Sequence, residues 1–85
     1  MKIYPALIGV TPFEDYQLAL TYEGNERRIY DFKPNLSHTY YKPLTDVRLF
    51  NTVSVVDGEI VWATGQDFCP HTLHDQSVPV NADNE

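Results

Sequence analysis

Apolar and polar positions alternate most cleanly between residues 16 and 32. Tyr16, Leu18, Leu20 and Tyr22 fall on one face, and Gln17, Ala19 and Thr21 fall on the other. A two-residue period of this kind predicts a half-buried antiparallel strand. Glu23-Gly24-Asn25 supplies turn chemistry, and Glu26–Phe32 returns with Arg28, Tyr30 and Phe32 on one side. Ahead of this hairpin, Ile3–Val10 is apolar and partly β-branched and predicts a first strand, with residues 11–15 as a connection.

Downstream the period changes. Lys33–Thr45 carries two prolines, Asn35, Ser37 and His38, and predicts an irregular crossover anchored by Leu36, Tyr40, Tyr41 and Leu44. A short helical turn is expected from Asp46 to Asn51, with Thr45 as N-cap and Val47 and Phe50 turned inward at i, i+3. The stretch Val53–Leu73 holds the single Trp and the single Cys, and the rest of the chain is expected to organise around it. Val53 and Val55 precede Asp57-Gly58, a strong signal for a hairpin turn with φ > 0 at both central residues. Residues 60–63 form the returning strand, with Ile60 and Trp62 sharing a face. A helix then starts with Cys69 at the N-cap and Pro70 at N1, where its missing N–H costs nothing. Phe68 and Leu73 stand at the spacing of a hydrophobic staple.

About five short strands in two hairpins, one crossover, a short helical turn and a short C-terminal helix predict an α+β fold built on a small antiparallel sheet. Residues 1–76 read as one α+β domain and 77–85 as a flexible tail.

The order of several pieces resembles the bacterial family called domain of unknown function 2442. Those pieces are Leu18-Ala19-Leu20 before Glu23-Gly24, Asp31-Phe32-Lys33-Pro34, Pro43-Leu44 with Phe50, and Ile60-Val61-Trp62 ahead of Asp67 and Pro70-His71-Thr72-Leu73. They are turn, cap and core positions, and none is a catalytic motif. The resemblance implies a small α+β domain. In some members a helix-turn-helix module follows, and others stand beside a second small protein in a toxin–antitoxin-like pair. No helix-turn-helix pattern follows residue 76, so the DNA-binding role is not expected to carry over. Relatives often have Ser at the last helix cap, an acidic residue at N2 and Tyr near its end. This chain has Cys69, His71 and His74 there.

Charge and cysteine usage narrow the function classes. Six Lys and Arg stand against twelve Asp and Glu, a formal net charge of −6. Arg27-Arg28 is the only adjacent basic pair, so direct nucleic-acid binding is not expected. One Cys permits no intrachain disulfide and suits a reducing, cytoplasmic setting. No stretch approaches the roughly 20 apolar residues of a membrane span, so no membrane partner is expected.

Cys69-x-His71-x-x-His74 invites two sharp readings. One is a metal site, since Cys and His are good zinc and copper ligands. The other is a thiolate nucleophile favoured by a helix N-terminus. Cys69 would have to turn back to join the histidines, and a nucleophilic enzyme also needs a base, an orienter and an oxyanion hole. The expectation is therefore no catalytic residue, no cofactor and no resident metal, with a metal- or thiol-dependent enzyme on Cys69, His71 and His74 as the alternative. Glu14, Asp15, Glu23 and Glu26 flank turns, where solvated charge is the norm. Asp31 is expected to cap backbone N–H groups of the turn that follows it. Adjacent Tyr40 and Tyr41 cannot both point inward easily, which makes them candidates for a partner contact. The function expected is a non-enzymatic protein–protein interaction module, with an antitoxin-like role as its finer form, working through a protein partner or self-association.

Overall fold

The computed structural model describes residues 5–80. It holds a four-stranded antiparallel sheet in the order β1-β2-β3-β6 and a separate two-stranded sheet, β4-β5. The strands are β1 (Leu7–Phe13), β2 (Gln17–Tyr22), β3 (Glu26–Asp31), β4 (Ser54–Val56), β5 (Glu59–Val61) and β6 (Val78–Pro79). Two short helices, α1 (Val47–Phe50) and α2 (Pro70–Gln76), complete the α+β fold.

The alternation in β2 does what the pattern demands. Leu18, Leu20 and Tyr22 are buried, and Gln17, Ala19 and Thr21 face the other way. The first strand lies further along than expected. It runs to Phe13 and pairs Phe13 with Gln17, so residues 11–13 are strand rather than connection. Pro12 is tolerated because β1 is an edge strand with no ladder to support on its far side. Ile3 and Tyr4, the start expected for this strand, lie outside the described residues.

The turn therefore falls on Glu14, Asp15 and Tyr16. Asp15 (φ 65°) and Tyr16 (φ 59°) are both left-handed, a conformation costing a non-glycine residue about 1–2 kcal/mol. Tyr16 is held there from outside. Its hydroxyl donates to the Thr45 carbonyl at 2.5 Å, and its ring meets Phe50 edge-on.

The crossover is two stretches of 3-10 helix, Lys33–Asn35 and Thr39–Thr45. Asp31 caps its start as expected, accepting from the Lys33 N–H at 3.0 Å. Leu44 is fully buried, Leu36 and Tyr41 pack against the core, and Tyr40 does not. The cap of α1 is Asp46 rather than Thr45: its carboxylate accepts from the Arg48 N–H, while the Thr45 hydroxyl donates to the Lys42 carbonyl. With the helix starting one residue later, Val47 stands 54% exposed and Leu49 joins Phe50 against the core.

The second hairpin matches its pattern closely. Asp57 (φ 53°) and Gly58 (φ 82°) both have positive φ, and Ile60 and Trp62 are buried together. The Trp62 indole N–H donates to the Phe50 carbonyl at 3.0 Å, which ties this hairpin to α1. Phe68 and Leu73 enter the same core, fixing the angle at which the chain meets α2. Phe32 sits at the centre, fully buried and ringed by Tyr30, Tyr41, Phe50, Trp62 and Phe68 at 5.1–6.2 Å between centroids.

The expected tail is corrected over residues 77–80. Ser77 is buried, and Val78 and Pro79 pair with Ile29 and Arg28 of β3. Nothing in the composition of this polar stretch announces a strand; its partners on β3 create one. Residues 81–85 lie outside the described part.

Candidate functional site

Helix α2 starts as the sequence requires, with Cys69 in a non-helical conformation (φ −59°, ψ 120°) and the Leu73 N–H donating to its carbonyl at 3.0 Å. The thiol is exposed and makes no cap hydrogen bond. Its pKa is nevertheless held below the ordinary 9.0, chiefly by the Thr72 backbone N–H and then the Thr72 hydroxyl, with partial burial opposing them. The thiolate is favoured by donors close by rather than by a formed bond.

The two histidines separate from it. His71 is exposed, whereas His74 is half-buried, its Nε2 3.3 Å from Glu26 Oε2 and its ring edge-on to Tyr22 at 4.8 Å. The helix explains this: at about 100° per residue, positions 69 and 74 lie about 140° apart around the axis. Among the described residues no group of three or more His, Cys, Asp or Glu side chains is gathered so that it could hold a metal ion.

His74 belongs instead to a polar network that the sequence reading missed. Arg28 Nη1 donates to Glu26 Oε2 at 2.7 Å, its Nη2 to the Ser77 carbonyl at 2.7 Å, and its Nε to the Ser77 hydroxyl. The Ser77 hydroxyl in turn donates to the His74 carbonyl. Glu26 has its carboxyl pKa lowered, first by the Arg28 hydrogen bond and more weakly by His74, against partial burial. A signal was available: Arg28 shares its face with Tyr30 and Phe32, and a cation on an inward face requires partners. The network clasps β6 to β3 at the end of α2.

The tyrosine pair divides its work. Tyr41 is half-buried against Phe32 and Phe68, and its hydroxyl donates to the Asp67 carbonyl at 2.8 Å. Burial, helped by the neighbouring Tyr40 and Asp67, pushes its pKa up to about 12. Tyr40 is 55% exposed, but its ring leans edge-on against Tyr41 at 4.9 Å. Its hydroxyl donates to Asp67 Oδ1 at 3.1 Å.

Among the described residues the other open surface is the outer face of the four-stranded sheet, where Thr11, Phe13, Arg27, Asp31 and Val78 are exposed and the residues between them are half-buried. Strand register lines up three rows across it: Gly9, Thr21 and Arg27; Thr11, Ala19, Ile29 and Val78; Phe13, Gln17 and Asp31. Shallow grooves run along β3 on this face, lined in part by Ala19, Arg27, Ile29, Val78 and Val80.

Residues 7–79 match the family model for a protein of unknown function, DUF2442. The chain belongs to the DUF2442 family. The match begins at the first residue of β1 and ends at the last of β6, so the DUF2442 unit includes the final strand. No curated protein and no solved structure matches the chain. No helix among the described residues is long and apolar enough to cross a membrane.

Proposed function

We propose that this DUF2442 chain is a non-enzymatic, cytoplasmic protein–protein interaction module, the antitoxin-like half of a two-protein pair. Tyr40 is the observation that carries the reading. It offers a large aromatic side chain, 55% exposed, already oriented by Tyr41 and Asp67. An aromatic anchor with two soft torsions loses little entropy on binding, and tyrosine is enriched at interface hot spots. The aromatic core around Phe32, which Tyr41 joins, is the support for that anchor.

The test is co-expression with the product of the adjacent gene, followed by size-exclusion chromatography. The two chains are expected to co-elute. Tyr40→Ala is expected to weaken the complex by about tenfold or more, the scale of a hot-spot truncation. Buried Trp62 should emit as in the parent protein, showing the fold intact. No complex with the neighbour, or one indifferent to Tyr40→Ala, overturns the proposal.

A further inference from the structure

The bare sheet face is self-complementary. Side chains alternate across a strand, so the burial of Leu18, Leu20 and Tyr22 commits Gln17, Ala19 and Thr21 to the outside. Pairing then carries each of these across the sheet. Ala19 lies between Thr11 and Ile29, and Ile29 lies beside Val78; Thr21 lies between Gly9 and Arg27; Gln17 lies between Phe13 and Asp31. Apart from Thr11 at the β1 edge the middle row is apolar, the two flanking rows carry opposite charge on the same strand, and Val78 at the end is 64% exposed.

Consider a two-fold axis laid along the middle row, between two such faces. Each residue of that row meets its own copy: Ala19 on Ala19, Ile29 on Ile29, Val78 on Val78. Each flanking row meets the opposite one. Arg27 lies over Asp31 of the second copy, twice per pair, and Thr21 lies over Gln17. Phe13 lies over the hollow at Gly9, where the missing side chain leaves room above Thr21. Stacked sheets pack about 10 Å apart and rotate by about 30°. That keeps the inner strands β2 and β3 facing their counterparts and displaces the edge strands by about one residue. The charged pair sits on β3, where alignment is best. Asp31 meets both the Lys33 N–H and its Nζ through Oδ1, so the acceptor capacity of Oδ2 is not spent on Lys33.

We propose that the open face of the four-stranded sheet binds a second copy of this chain, face to face about a two-fold axis, with Arg27 of each copy paired to Asp31 of the other. The occupant is chosen by charge and shape together. A face that places a cation and an anion symmetrically about an apolar row is matched by itself, the condition for an isologous dimer. Three strands of six or seven residues and the two-residue β6, about 4.8 Å apart, make a face of roughly 340 Å² per copy. About 680 Å² in total is small for a stable complex, so the association is weak, with a dissociation constant above the micromolar range. The net charge of −6 on each copy opposes it at low salt and is largely screened at physiological ionic strength. This surface is separate from Tyr40, so the dimer and the partner complex stand or fall independently.

Sedimentation velocity on the full chain at about 0.15 M salt, from roughly 10 µM to 1 mM, tests it. The mass is expected to rise with concentration from 9.8 kDa toward twice that value. Arg27→Asp alone and Asp31→Arg alone are each expected to weaken the dimer by about tenfold or more, since each sets like charges opposite one another. In an equimolar mixture of the two variants, the mixed dimer keeps one original pair, Arg27 of one copy against Asp31 of the other. Its second pair joins the two substituted positions with their charges reversed. The mixture is therefore expected to recover association to within about threefold of the parent. Should Asp31→Arg disturb the turn it caps, Ala19→Glu brings two carboxylates together at the axis without touching the core, and the same loss is expected. A parent mass that stays at 9.8 kDa throughout overturns the proposal and leaves the face to a different protein. A dimer that ignores the charge variants and Ala19→Glu overturns it as well.

Discussion

Phe32 allows the packing argument to be tested quantitatively. Its ring is wholly buried among Tyr30, Tyr41, Phe50, Trp62 and Phe68, with the Tyr41, Phe68 and Tyr30 contacts edge-to-face. Truncating such a ring to Ala costs about 3–5 kcal/mol. That is a large part of the roughly 5–15 kcal/mol typical of a whole domain, so Phe32→Leu is the better probe. Leucine keeps much of the volume but forfeits the aromatic contacts, each worth about 0.5–1.5 kcal/mol, and leaves a small gap. The neighbouring rings cannot collapse into it freely: Tyr41 is held by Asp67 and Trp62 by the Phe50 carbonyl. The expected loss is about 2 kcal/mol, or a fall of roughly 8–16 °C in melting temperature for a chain of this size. Val47→Ala is the control. Its side chain is 54% exposed, and its expected effect is within about 0.5 kcal/mol. Urea and thermal melts followed by Trp62 fluorescence and far-UV circular dichroism give both values. Equal losses for the two variants, or a larger one for Val47→Ala, would refute the assignment of Phe32 as the centre and Val47 as surface.

Three further outcomes follow from local chemistry. Gly58→Ala places a Cβ at φ 82° with open space around it, so the loss is purely conformational, about 1–2 kcal/mol in the same melts; no loss would mean the turn has another shape. Tyr41 stays neutral in the folded chain up to about 12, whereas the unfolded chain ionises near 10.0, so its contribution is intact below pH 10.0 and declines as pH rises between those values. The stability difference between the parent and Tyr41→Phe should narrow across that window, and a constant difference would count against burial as the cause. Cys69 should react with a thiol probe such as iodoacetamide with a pH midpoint below 9.0, and a midpoint above that would show the Thr72 donors to be ineffective.

Much of this DUF2442 fold is written locally. The alternation from Leu18 to Tyr22, the positive-φ pair Asp57-Gly58 and the Pro70 helix start each follow from a few neighbouring residues, because sterics and the two-residue period act over that range. The boundaries that moved are those where a distant contact outweighs a local preference. Tyr16 is bent out of its strand by a hydrogen bond to Thr45 and a ring contact with Phe50. Residues Val78 and Pro79 become a strand because Arg28 clasps Ser77 beside them. The candidate site divided in the same way. A C-x-H-x-x-H spacing is visible in the chain, but whether its side chains converge depends on what each meets, and His74 meets Glu26 and Tyr22 from other strands. The exposure of Tyr40 follows partly from adjacency with Tyr41, while the rows across the outer sheet face exist only once three strands stand in register. Sequence alone set the periodicity, the turns and the charge. The tertiary structure decided which side chains share a surface, because register between strands is a long-range quantity that no single segment carries.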